Sequence, residues 1–292
     1  MSSRNNPISA VQKKRTASTT PKKRTVSSSR PSRAPKKAPV KQHYSMPGWL
    51  RNILAVAIVG CFSMVFYYFF IRPYAYRWKP CNGLKEYGVC IPSGYDIHGI
   101  DISHYQGKID WGRLLQNKQT ATPLHFIFMK ATEGGDHNDT TFQTNFANAR
   151  NHGFIRGAYH FYIPSTDALK QADFFIRTVK LVSGDLPPVL DVEVTGRKEK
   201  KELQQGIKRW LDRVESHYGV KPILYTSYKF KTRYLDDSIF NAYPYWIAHY
   251  YVDSVRYQGK WHFWQHTDVG SVPGIKEDVD LNVFNGSLEE LK

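Results

Sequence analysis

"IRGAYHFYIPSTDALKQADFFIRTVKLVSGDLPPVLDVEV", residues 155–194, holds two short apolar runs around an amphipathic stretch. IRGAYHFY has the length and aromatic content of a strand. DALKQADFFIRTVKLV places Leu169, Ala172, Phe175, Ile176 and Val179 three or four residues apart, which predicts a helix with one apolar face. PPVLDVEV reads as a strand again. A strand, a helix and a second strand in this order make a parallel unit, because the chain must cross back before it can run the same way again.

The alternation extends in both directions. Upstream lie IHGIDIS as a strand, a helical stretch around IDWGRLLQNK, HFIFMKATEG as a strand, and TTFQTNFANARNHG as a helix stopped at Gly153. Downstream, KEKKELQQGIKRWLDRVESHYG is a helix stopped at Gly219, and KPILYTS is a fifth strand. YPYWIAHY, WHFWQHT and VDLNVF then read as strands with little helix between them. The pattern predicts an α/β fold over 96–292, a modified (β/α) barrel with a helix-poor C-terminal third. An open doubly wound sheet is the alternative. DISHYQG after the first strand is not the Gly-rich phosphate fingerprint, which weakens a nucleotide-binding reading.

The formal charge of +16 is unevenly placed. No Asp or Glu precedes Glu86, and residues 1–85 hold 17 of the 41 Lys and Arg; the remainder carries 24 basic residues against 25 acidic ones. Residues 1–50 are rich in Ser, Thr, Pro, Lys and Arg and are expected to be a disordered cytoplasmic tail. It is expected to be solvated or to touch anionic lipid. Nucleic acid is not expected, since no aromatic ring precedes Tyr44 to stack on a base.

Ile53 to Ile71 is a run of 19 residues without a charge. As a helix it spans roughly 28 Å, a bilayer's hydrocarbon thickness. Residues 51–72 are therefore expected to anchor the chain, the main competitor being a cleaved signal peptide. Thirteen Lys and Arg lie in residues 1–52, and only Arg72, Arg77, Lys79 and Lys85 follow closely. That asymmetry keeps the N-terminus inside and exports the rest, giving a single-pass protein of the cytoplasmic membrane. Residues 73–95 are expected to be a stalk, in which Cys81 and Cys90 stand as a disulfide or as two free thiols.

In PPVLDVEV an extended backbone puts Asp191 and Glu193 on one face, where repulsion and desolvation both oppose them. Barrels carry their chemistry at the C-terminal ends of strands. Asp101 and Glu133 end the first and second strands, and Asp191 and Glu193 end the fourth. Asp280 fits least well, since it opens VDLNVF. Rings at Tyr159, Phe161, Tyr162, Tyr245, Trp246, Tyr250, Tyr251, Trp261 and Trp264 suit a carbohydrate cleft, although most are expected in the barrel core. No metal or other cofactor is expected: His262 and His266 lie on a strand, roughly 13 Å apart when extended.

HGIDISHYQGKIDW, FIFMKATEG, GAYHFY, PPVLDVEV, YWIAHY, WHFWQHT and VDLNVFNG follow one another in an order similar to that of family 25 glycoside hydrolases, the Chalaropsis-type lysozymes. The resemblance runs from about 97 to 287. It implies hydrolysis of the β-1,4 bond between N-acetylmuramic acid and N-acetylglucosamine in peptidoglycan. Residue by residue, the family's acids correspond to Asp101, Asp191, Glu193 and Asp280. Glu193 is then expected as the general acid, and Asp191 as the group that assists the substrate's own 2-acetamido nucleophile. Asp101 and Asp280 hold the arrangement, and Tyr159, Phe161, Tyr162, Trp246, Glu133 and Gln265 bind the sugar. A glycosyl-enzyme intermediate or inversion would use the same acids at other separations. Two other functions stay open, a hydrolase of a related acetamido polymer such as chitin and a wall-binding module without turnover.

Overall fold

The computed structural model describes residues 45–72, 81 and 83–291. The expected disordered, lipid-touching tail lies, up to residue 44, outside the described residues, as do 73–80 of the expected stalk. Gly48–Phe66 forms helix α1, which Tyr67–Ile71 continues as a wider turn. The stretch Gly48–Ile71 is long and apolar enough to cross a membrane, and none of it is buried. Helices of signal sequences can be comparably long and apolar.

β1 (Lys85–Glu86) and β2 (Val89–Cys90) form a hairpin that turns through Tyr87 and Gly88, both at positive φ. Tyr87 holds this conformation because its ring is buried and its hydroxyl donates to the Thr122 carbonyl at 2.9 Å. Cys81 and Cys90 are joined as a disulfide across the hairpin. Tyr87 and Ile91 belong to the core of the main body. This part of 73–95, expected as stalk, thus packs on the barrel.

The barrel is built from β3 (Ile97–Ile102), α2 (Trp111–Gln116), β4 (Leu124–Glu133), β5 (His137–Asn138), α3 (Phe142–Asn151), β6 (Ile155–Phe161), α4 (Ala168–Thr178), β7 (Val189–Asp191), α5 (Lys200–Tyr218), β8 (Ile223–Ser227), α6 (Tyr228–Tyr234), β9 (Tyr245–Ala248), β10 (Phe263–Gly270), β11 (Val279–Phe284) and α7 (Leu288–Leu291). Apart from β5, a short antiparallel addition to the end of β4, the strands from β3 to β10 pair in parallel. β11 runs antiparallel to both β10 and β3 and closes the ring at eight strands. Between β9 and β10 no helix intervenes, as the helix-poor reading of the last third expects.

Two layers of apolar side chains follow from strand alternation. The inner layer is aromatic. Phe128 stacks on Trp246 at 4.4 Å, and Phe126 and Phe263 pack edge-on against Phe128 at 5.6 and 5.1 Å. Gly99 and Gly157 make room for them, since a Cβ there would stand 2.5 Å from the Phe126 ring and 2.4 Å from the Phe128 ring. The outer layer packs the strands against the helices, with Phe175 of α4 and Trp210 of α5 both fully buried. Asp167 caps α4 by accepting from the Lys170 amide at 2.9 Å, and Gly219, at φ +72°, ends α5. A buried ion pair braces this layer: Arg156 Nε and Nη2 donate to Asp185 at 2.7 and 3.0 Å.

Candidate active site

The aromatic plug fills the barrel up to its mouth, and the acids begin where the plug ends. Asp101 is the last inward residue of β3, and Asp280 stands directly opposite it on β11. The misfit that the sequence reading assigned to Asp280 disappears with strand direction. Because β11 is antiparallel, its first residues lie at the end where the parallel strands finish.

Asp101 and Asp280 are hydrogen-bonded to one another and sit in an amide cradle. Asn282 Nδ2 and Gln265 Nε2 donate to Asp101 Oδ2 at 2.7 and 2.8 Å, and Gln265 Nε2 also reaches Asp280 Oδ2 at 3.1 Å. The cradle is itself fixed. Trp246 Nε1 donates to Asn282 Oδ1 at 2.8 Å, and the Tyr225 and Tyr250 hydroxyls donate to Gln265 Oε1 at 2.7 and 2.5 Å. Burial raises both carboxyls, Asp101 to about 6 and Asp280 to about 9. The amide donors favour charge on Asp101, and that charge in turn raises Asp280 further, so the pair's proton rests on Asp280.

Asp191 ends β7 on the same inner face, fully enclosed, while Glu193 lies just past the strand and is exposed. Burial pushes Asp191 well above the usual carboxylate range, and the Glu193 charge adds to this. Desolvation of its enclosed side also raises Glu193, against its polar contacts with Asp191 and Tyr225 and the charge of Lys130. Asp191 Oδ1 has no donor, although it is buried. An unpartnered oxygen is costlier on a charged carboxyl than on a neutral one, which agrees with the raised Asp191. Beside Glu193 opens a pocket of about 380 Å³ lined by Tyr225, Tyr228, Lys229, His249 and Tyr250 among others.

The expected sugar-binding residues divide. Tyr159 lies among Asp101, Asp191 and Asp280, whose charges add to burial in raising its hydroxyl well above the ordinary value. Phe161 is half-buried beneath the Lys130 ammonium, 4.9 Å from its ring centroid, and Glu133 accepts from Lys130 Nζ at 2.6 Å. Gln265 holds the acids, as described. Trp246, expected as a cleft wall, is 2% exposed and forms the floor under Asn282. Tyr162 is corrected. Alternation from Tyr159 and Phe161 turns it outward, and it is buried in the outer layer against Gly206 of α5.

Sequence reasoning placed Tyr250 only among the rings suited to a cleft, and missed Asn282, Tyr225 and Lys130. Asn282 shares Asp280's face two residues on, and Tyr225 and Lys130 occupy inward positions of their strands, so alternation could have found all three. His266 is buried, and burial lowers its imidazole to about 3. Among the described residues no cluster of three or more His, Cys, Asp or Glu is arranged to hold a metal ion.

Residues 100–275 match the model of Glycosyl hydrolases family 25. The match stops short of Asp280, which register alone places opposite Asp101. The uncharacterized protein YegX of Escherichia coli K12 is 44% identical over 224 residues, 76% of this chain and 80% of its own. Lysozyme M1 of Streptomyces globisporus is 32% identical over 210 residues, covering 67% of this chain and 70% of that one. Among solved structures, a bacterial lysozyme from Streptomyces coelicolor superposes with a TM-score of 0.62 at 32% identity, over 68% of this chain and 96% of the other. A family 25 glycosyl hydrolase from Bacillus anthracis does so with a TM-score of 0.61 at 33% identity, over 68% and 93%. The likeness covers the barrel from its first strand through most of its last third, and the chain belongs to family 25 of the glycosyl hydrolases.

Proposed function

We propose that this glycoside hydrolase is a muramidase, cleaving the β-1,4 bond between N-acetylmuramic acid and N-acetylglucosamine in peptidoglycan. The observation that carries the reading is the pairing of a buried carboxyl with an exposed one, Asp191 with Glu193, beside an open pocket. A glycosidase needs one acid held protonated near neutral pH and a second carboxylate that stays in place to steady the positive charge at the sugar. Glu193, the exposed member, donates the shared proton to the leaving oxygen. Asp191, left charged, orients the 2-acetamido group, whose oxygen attacks the anomeric carbon as the glycosidic bond breaks. Water then opens the resulting ring, and Glu193 takes up its proton. Asp101 and Asp280 hold the inner wall, with Tyr159, Phe161, Glu133 and Gln265 around the sugar.

The relatives named lysozymes support the substrate class. The apolar stretch Gly48–Ile71 supports a membrane anchor that leaves the catalytic domain on the wall side, with the basic tail in the cytoplasm near anionic lipid. The test digests purified peptidoglycan with the full chain and identifies the reducing ends by mass. N-Acetylmuramic acid at those ends is expected. N-Acetylglucosamine there, cleavage of chitin instead, or binding without release would refute the reading. Glu193→Gln is expected to lower turnover by about 10²–10⁴-fold with little change in KM, and near-normal turnover would remove its role. Fractionation of cells is expected to find the intact chain in the membrane, and a shortened soluble product would exclude the anchor.

A further inference from the structure

Regular pleating would place Lys130 and Glu133 on opposite faces of β4, being three residues apart. The pairing of β4 with β6 shifts between Lys130, opposite Tyr159, and Thr132, opposite His160. Ala131 and Thr132 consequently both turn outward: Ala131 lies in the outer core, and the Thr132 hydroxyl is 2.7 Å from His160 Nδ1. Glu133, opposite Phe161, returns to the inner face. This is a β-bulge, whose extra residue re-aims the side chains that follow it. It brings Lys130 Nζ to 2.6 Å from Glu133 Oε2 and seats the ammonium over the Phe161 ring. The Lys130 side chain is 11% exposed and that of Glu133 is 35% exposed.

We propose that the bulged Lys130–Glu133 pair is a positioning device for catalysis, holding a fixed positive charge beside the Asp191 and Glu193 carboxyls and thereby setting the pH range in which the enzyme works. Lys130 acts through those carboxyls, so the inference rests on the reading of Asp191 and Glu193 as the working pair.

The surroundings show why a cation matters there. The other titratable groups that the strands turn toward this pair are acids: Asp101 from β3, Tyr159 from β6, Tyr225 from β8, Tyr250 beyond β9 and Asp280 from β11. Lys229 and His249, whose imidazole burial lowers, line the outer pocket on the Glu193 side. With burial and repulsion both raising the carboxyls, the pair would hold its shared proton to higher pH. Lys130 opposes this, its charge lowering both Asp191 and Glu193. Glu133 completes the device. A nearly buried lysine without a partner tends to lose its proton, and one bonded directly to Asp191 would strip that carboxyl of its own. Glu133, open to water on one side, pairs with the ammonium and draws it off the reacting pair.

The test compares pH profiles of peptidoglycan cleavage by the full chain in detergent. Lys130→Met keeps the bulk and removes the charge. Both limbs of its profile are expected to move to higher pH by about one unit, the size that an opposite charge a few ångströms away imposes on a carboxyl. Lys130→Arg is expected to restore the wild-type position, and Glu133→Gln to move the limbs the other way by freeing the ammonium toward Asp191. A Lys130→Met profile reduced in height but unmoved would overturn the proposal and leave Lys130 a packing residue. Carbon-13 titration of the Asp191 and Glu193 carboxyls in the same proteins reads the shift without turnover. A wild-type chain inactive on peptidoglycan would thus refute the muramidase reading, while the titration alone would decide the role of Lys130.

Discussion

Replacing Asp280 by Asn isolates the proton that the Asp101–Asp280 pair carries. In the unfolded chain both carboxyls titrate in the ordinary range near pH 4. In the barrel both are raised, Asp280 to about 9. Between these limits the folded state binds a proton that the unfolded state has released, so stability falls as pH rises. The full contribution is present below the ordinary carboxylate range and is lost as pH climbs through the raised value. One extra bound proton corresponds to about 1.4 kcal/mol per pH unit, or about 2.7 kcal/mol between about pH 5 and about pH 7. In Asp280→Asn the new side chain has no such proton to hold, while its amide can still donate to Asp101. The variant is therefore expected to lose less stability over that interval, by up to roughly 5–10 °C in Tm for a domain of this size. Thermal unfolding by circular dichroism, both proteins in one detergent at both pH values, measures the double difference, from which the apolar helix and the detergent cancel. Parallel pH dependences would refute the shared proton and with it the electrostatic reading of the inner wall.

Two packing predictions bear on the same architecture. Asn282→Leu leaves the Trp246 indole N–H without its acceptor and Asp101 without one donor, and is expected to cost about 1–3 kcal/mol in urea unfolding. It should lower activity as well, by loosening Asp101. Arg156→Met leaves the buried carboxylate of Asp185 with only the Val182 amide at 2.9 Å. The expected loss is about 3–5 kcal/mol, read from melting curves, with the pH profile of cleavage unmoved because the pair lies outside the barrel.

The barrel was legible because each strand is a short apolar run between turn residues and each helix has a clear apolar face. α5 and its stop at Gly219 fall where their spacing puts them. Three features were not legible. The direction of β11 leaves no trace in VDLNVF, since a strand reads alike forward and back, so Asp280 looked misplaced until its register with Asp101 was known. The bulge in KATEG is equally silent: it depends on how β6 pairs alongside, and strict alternation puts Glu133 on the wrong face. The hairpin at 85–90 escaped for another reason. Two-residue strands carry no periodicity, and Tyr87 reads as a surface tyrosine until its burial is seen. Tyr162 was an error that alternation itself could have prevented, because it cannot share a face with Phe161.

The strand pair that closes the barrel is also the pair that brings Asp101 to Asp280. Asn282 and Asp101 are bonded across 181 residues of sequence, so the inner wall of the cleft comes together only when the two ends of the domain meet. A chain still emerging from synthesis has Asp191 and Glu193 before it has that wall. Such a chain has no assembled centre to act with. Assembly of the acidic centre is thereby tied to completion of the barrel itself.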